Sequence, residues 1–262
     1  MGLNVDAEEA DRLALSLEVI DRVLAEPALA GWEGFGVVVQ AYGPRAGPVI
    51  DALYDMAENY DRKIMVRLVK GAYWDTEIKR AQVEGIDGFP VFTQKAATDV
   101  SYICNARKLL GMTDRIYPQF ATHNAHTVAA ILHSADDAET FEFQRLHGMG
   151  ETLHRIVLDK YKTRCRIYAP VGAHSDLLAY LVRRLLENGA NSSFVNQIVD
   201  DAVPPSVVAA DPFDALHQRM APNIAKGPDV FKPQRANARG FDLAHSLTLE
   251  EIDAARGAFA AH

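Results

Sequence analysis

Cysteine is almost missing from this chain: Cys104 and Cys165 are the only two in 262 residues. Two thiols so far apart do not build a disulfide framework, and their scarcity favours a reducing compartment. Long apolar runs are missing too. No stretch of about 18 apolar residues is suited to span a bilayer, and no signal-peptide pattern follows Met1, so a cytoplasmic location is expected. Positive charge is in short supply: 27 Lys and Arg face 35 Asp and Glu, a formal net charge of -8. Without a basic field to gather phosphates, nucleic acid is excluded as the main partner. There is no G-x-G-x-x-G turn, which counts against a doubly wound dinucleotide fold. No Ser–His–Asp arrangement stands out. His123 and His126 stand at i and i+3, but no cysteine or acidic cluster completes a ligand set, so no metal is expected.

What is present fits a globular chain with one large core: 48% hydrophobic and 24% charged residues. Short apolar runs alternate with helical patterns. Strands are expected over residues 3–6, 35–41, 64–70, 117–122, 141–146 and 165–169. Helices are expected over 7–26, 44–59, 74–83, 93–110, 127–134, 151–160 and 175–187, the last capped by Ser175 and closed by Asn188-Gly189. Strands alternating with helices imply an α/β protein with a parallel sheet. Polar, glycine and aromatic residues gather at the strand C-termini, the pattern of a (β/α)8 barrel whose site lies at that end. About six strands are counted where such a barrel has eight, so the chain is expected to lack its first two. Residues 1–208 are read as the barrel. Residues 209–262, richer in Pro and Gly with a helical pattern over 249–260, are read as an extension packing on it.

Residues 64–75 are the centre of the functional reading. Arg67 interrupts an otherwise apolar strand, and a buried guanidinium demands an anion or acceptors. A cofactor could meet that demand, and so could a neighbouring carboxylate. Lys70 ends the strand, Gly71 lets a partner approach the backbone, and Tyr73 and Trp74 add flat apolar surface. Asp6, Gln40, Arg67 with Lys70, His123 and Arg145 stand at or just past the ends of successive strands and would converge on one mouth. On the helix over 175–187, Tyr180, Arg183, Arg184 and Glu187 share one face. Adjacent arginines beside a tyrosine suit bidentate capture of a carboxylate; the other reading is a solvated charged stripe. Lys95 is either a phosphate contact at a helix start or a surface lysine. Lys70 also admits a Schiff-base aldolase.

Val66-Arg67-Leu68-Val69-Lys70-Gly71-Ala72-Tyr73-Trp74-Asp75 resembles the flavin-binding strand of proline dehydrogenase. So do the stretches around Asn4-Val5-Asp6, Val38-Val39-Gln40, Thr122-His123-Asn124 and Gln144-Arg145-Leu146-His147-Gly148, and the helix Tyr180-Leu181-Val182-Arg183-Arg184-Leu185-Leu186-Glu187. The likeness is to the proline dehydrogenase domain of bacterial bifunctional proline utilization A proteins, over residues 2–245. It implies a distorted (β/α)8 barrel that uses FAD to oxidise L-proline to Δ1-pyrroline-5-carboxylate and passes electrons to a quinone. By this resemblance Arg183 and Arg184 bind the proline carboxylate, and Tyr180 and Tyr73 wall in the ring. Tyr168 lines the same pocket, supported by Asp6, and Arg67 lies near flavin N5. Gln40, Val69, Lys70, Gly71, Trp74, Thr93, Lys95, His123 and Glu187 touch other parts of FAD. The family's two earlier strands are expected on a complementary polypeptide, without which the chain is a non-catalytic fragment. Peripheral attachment at the inner membrane is implied for the full-length protein.

Overall fold

The computed structural model describes residues 2–189, 204–218 and 224–259, with the backbone alone at 179, 183–189, 205 and 208. Six strands form one curled parallel sheet in sequence order. They are β1 (Leu3–Val5), β2 (Phe35–Gln40), β3 (Ile64–Val69), β4 (Ile116–Ala121), β5 (Glu142–Leu146) and β6 (Arg164–Tyr168). Between and after them run α1 (Leu13–Leu24), α2 (Ala46–Asn59), α3 (Trp74–Val83), α4 (Lys95–Leu110), α5 (Ala125–Ser134), α6 (Glu151–Tyr161) and α7 (His174–Gly189). Each parallel step needs a crossover, and a helix supplies it here at every step.

The period of two along each strand separates two faces. Ile64, Val66 and Leu68 are buried on the helix side, while Met65, Arg67 and Val69 turn to the inner face of the curl. On the helix side Val37, Val39, Phe120, Phe141 and Phe143 meet Ile50, Leu53, Tyr102, Leu109 and Ile131 in one continuous core. Removing such side chains from water stabilises the fold by roughly 1.5–3 kcal/mol each. β2 is buried along both faces, as its Val-Val-Val run requires. Pro118 is tolerated in central β4. The Ile64 amide donates to the Arg115 carbonyl, so by alternation the nitrogen of residue 118 faces β5, where pairing starts only at Gln119–Glu142.

Most boundaries fall within two residues of those read from sequence, and the larger differences have local causes. The helix expected from residue 7 starts as a 3-10 turn at Ala10–Arg12 and becomes α1 at Leu13. The preceding segment stays extended, with Glu9 at ψ 153, and reaches across the sheet end. α7 starts at His174, so Ser175 lies inside the first turn and donates to Asp176 instead of capping, and Asn188-Gly189 continues the helix. The last α-helix among the described residues is Ser246–Arg256, starting three residues and ending four residues earlier than expected. Downstream of α7, the turn Pro212–His217 packs on α4, and Ile224 joins a small cluster of Tyr42, Ile78 and Val91. At Gly240 a Cβ would lie 1.7 Å from the Glu84 carbonyl oxygen, so only glycine lets this segment lie against α3. No described helix is long and apolar enough to cross a membrane.

Candidate active site

Parallel register carries one inward position across the sheet. Val38 pairs with Arg67, Arg67 with Gln119, and Gln119 with Glu142. Above this row, toward the strand C-termini, Gln40, Val69, Ala121 and Tyr168 also face inward, and Asp6 follows directly on β1. Arg67 is the hub of this end. Its guanidinium donates to the Asp6 carboxylate and lies over the Tyr168 ring, 5.5 Å from the centroid. Its side chain is 16% exposed while that of Asp6 is 69% exposed, so the pair opens to the mouth on the Asp6 side. Only one guanidinium nitrogen of Arg67 is hydrogen-bonded among the described residues, which leaves donors for an acceptor-rich ligand edge.

Other predicted residues find partners within the protein. Gln40 Nε2 donates to the Glu8 carbonyl (2.8 Å), and its Oε1 accepts from the Ala72 amide (3.3 Å). Tyr73 donates to the Glu8 carboxylate, so the segment after β1 is fastened across β2 and the β3 end. Gly71 has φ +136, and what approaches its backbone is the ring of Tyr42: a Cβ there would lie 2.4 Å from the ring. The glycine is therefore needed for the site's own packing. Trp74 donates from Nε1 to the Phe92 carbonyl (2.7 Å), beside Thr93, and packs with Tyr73 on the Tyr42 cluster. His123 Nε2 accepts from the Leu146 amide (3.1 Å), while the ring of His154 stands edge-on to it at 6.4 Å.

Two expectations need correction. Arg145 does not converge on the mouth. It shares the helix-side face with Phe143 and donates to the carbonyls of Leu146 (3.2 Å) and Met149 (3.3 Å) near Glu151. A one-residue step along a strand reverses the face, and β5 ends one residue beyond Arg145. Lys70 likewise lies past the end of β3 and turns to α4, where it pairs with Asp99. Tyr180 lies on α7, whose first turns are described. Arg183, Arg184 and Glu187 are on the same helix, with side chains outside the described ones.

Asp99 was not singled out in sequence, although Lys95 four residues before it was a signal. Its carboxylate receives Lys70 and, at 3.0 Å, Lys95. Burial works against its ionisation, but the two ammonium groups outweigh burial and hold its carboxyl below the usual range. A depressed folded value means the unfolded chain takes up the proton first. This stabilisation is complete well above the ordinary carboxylate value of about 4 and is lost as pH falls below it. Asp99→Asn should lower stability near neutral pH, with the difference from the parent shrinking on acidification. Urea midpoints measured at several pH values test this, and a pH-independent difference would reject it. Missed as well was Glu142, whose buried carboxylate joins Gln119, Gln144 and Arg166 on the inner face. The aromatic–polar alternation Phe141-Glu142-Phe143-Gln144 was its only signal.

Residues 1–197 match the family profile described as Proline dehydrogenase. The bifunctional protein PutA of Salmonella typhimurium is 51% identical over 97% of this chain and 21% of its own length. Proline dehydrogenase 1 of Bacillus subtilis is 29% identical over 74% of this chain and 57% of its own. A crystal structure of bifunctional proline utilization A superposes with a TM-score of 0.94 at 54% identity, over 98% of this chain and 27% of that one. The chain thus spans about a fifth of the length of the curated PutA relatives it matches.

Proposed function

This chain belongs to the proline dehydrogenase family, and we propose that it oxidises L-proline to Δ1-pyrroline-5-carboxylate with FAD, the electrons passing on to a quinone. The observation that carries this reading is the inward stack of Asp6, Arg67 and Tyr168 at the C-terminal end of the sheet. It combines a cation that has spare donors with an aromatic wall on the inner face. The residues fit a flavin: among the described residues Arg67 keeps donors for an acceptor edge, and Lys70 and Lys95, sharing Asp99, leave one net positive charge at the start of α4, where a diphosphate would be favoured. FAD, when bound, supplies the acceptor for the hydride that leaves the ring carbon next to nitrogen.

In this reading Arg67 holds positive charge beside the acceptor, a preorganised electrostatic role. Arg183 and Arg184 bind the proline carboxylate, and Tyr73, Tyr168 and Tyr180 enclose the pyrrolidine ring. The distance between the arginine pair and Arg67 would then set the ring carbon within reach, about 3–3.5 Å in a near-attack geometry. Gln40, Val69, Gly71, Trp74, Thr93, His123 and Glu187 complete the flavin cradle. The six strands are taken as part of a (β/α)8 barrel over residues 1–208. Residues 209–262 form the extension. The location is cytoplasmic, and the full-length protein docks peripherally at the inner membrane. A Schiff-base role for Lys70 is disfavoured, since the ion pair with Asp99 would have to be given up to free a neutral amine.

The test is an absorption spectrum of the purified protein before and after adding L-proline. A flavin spectrum that bleaches with proline, and not with D-proline, is expected. A colourless protein, or a flavin that proline leaves oxidised, would overturn the function.

A further inference from the structure

Glu142 shares the inward register row of Arg67 and Gln119, two inward positions below the Tyr168 row, and nothing in the proposed chemistry uses it. Its residue is 3% exposed. Oε1 accepts from Gln119 Nε2 (2.9 Å), Gln144 Nε2 (2.8 Å) and Arg166 Nε (2.7 Å), and Oε2 accepts from Arg166 (2.9 Å). A carboxylate so buried persists only where its oxygens are bonded this fully. The placement of its partners is specific. Gln119 is the register partner of Arg67, and Arg166 is the inward position immediately before Tyr168 on the same strand. The bridge Gln119–Glu142–Arg166 therefore crosses β4, β5 and β6 alongside the span that separates Arg67 from Tyr168. Beyond its parallel backbone pairing with β5, from Glu142–Arg164 to Leu146–Tyr168, β6 has few side-chain anchors among the described residues. Its helix-side contribution to the main core is the partly buried Cys165, and Ile167 is exposed.

We propose that Glu142 is a positioning residue that sets the Tyr168 ring under the Arg67 guanidinium by clamping β6 through the two-point grip on Arg166. Arginine suits this role because its planar fork fixes orientation as well as distance, which a lysine cannot do. The proposal rests on the reading of Arg67 and Tyr168 as pocket residues for its consequence in catalysis, but the clamp itself can be tested apart from that reading.

The experiment labels the protein with 3-fluorotyrosine and assigns the Tyr168 fluorine resonance with Tyr168→Phe. Glu142→Gln is expected to displace the Tyr168 resonance in the same direction as Arg67→Met, while the other tyrosine resonances stay in place. Arg166→Lys, which keeps the charge and loses the fork, should produce a smaller displacement of the same sign. Its side chain is 59% exposed, so it carries the test should Glu142→Gln fail to fold. An unmoved Tyr168 resonance in a folded variant would overturn the clamp, and so would a general shift of all tyrosines with loss of thermal stability. In the FAD-loaded protein, KM for proline should rise about tenfold or more with a smaller change in kcat, since a misplaced wall weakens ring placement. If the parent protein never passes electrons from proline to FAD, the functional reading fails, and the fluorine resonance still decides the clamp.

Discussion

Arg67→Met should cut the rate of flavin reduction by proline in the proposed reaction about 10²–10³-fold, the usual loss when one preorganised charge-stabilising donor is removed. Methionine keeps the length and apolar body of the side chain, so packing beside Val38 and Gln119 is largely preserved. What disappears is the charge, the bond to Asp6 and the cation over Tyr168. Arg67→Lys should recover part of the rate, because charge remains while the planar fork is lost. Stopped-flow absorbance of bound FAD measures the step directly. A rate within threefold of the parent, with FAD content unchanged, would rule out the assigned role.

Phe120→Ala should lower the unfolding free energy by about 3–5 kcal/mol, the range for truncating a fully buried aromatic ring. Phe120 is completely buried in central β4. Its ring meets Phe141 edge-on at 5.5 Å and Phe143 at 6.4 Å, and Phe141 in turn meets Phe143 at 5.4 Å. The three rings join β4 to the start of β5, and the surrounding backbone belongs to hydrogen-bonded strands that cannot easily close a cavity. Denaturant unfolding followed by tryptophan fluorescence gives the value. A loss below about 1 kcal/mol would mean that the core collapses around the site, contrary to close packing.

Each level of the structure left a different imprint on the sequence. The strands were legible because Val37-Val38-Val39 and Ile64 to Leu68 carry apolar runs bounded by turn residues, and the helices because their apolar positions recur with the helical period. The segment after β1 was misread as helix. Its residues have acceptable helix propensity, and what keeps it extended is distant: Asp6 is drawn to Arg67, and Glu8 to Gln40 and Tyr73. No local pattern announces bonds made more than thirty residues away. Arg145 stands near the correctly located end of β5, but the alternation that buries Phe143 puts it on the same helix-side face and away from the mouth. Asp99 and Glu142 were passed over for a related reason: an acidic residue in a helix or strand reads as solvated until its cations are found.

By itself the sequence determined the α/β class, the parallel order implied by alternating elements, and the resemblance to proline dehydrogenases carried by residues 64–75 and 180–187. Those features are local in the chain, either periodic or contiguous, so they survive without coordinates. Only the tertiary structure decided that Arg67 meets Asp6 and Tyr168, that Lys70 pairs with Asp99, and that Glu142 links β4, β5 and β6 through Gln119, Gln144 and Arg166. Each of these depends on which residues share a register row and a face. Pairing across a curled sheet fixes that, and it brings together positions up to about a hundred residues apart.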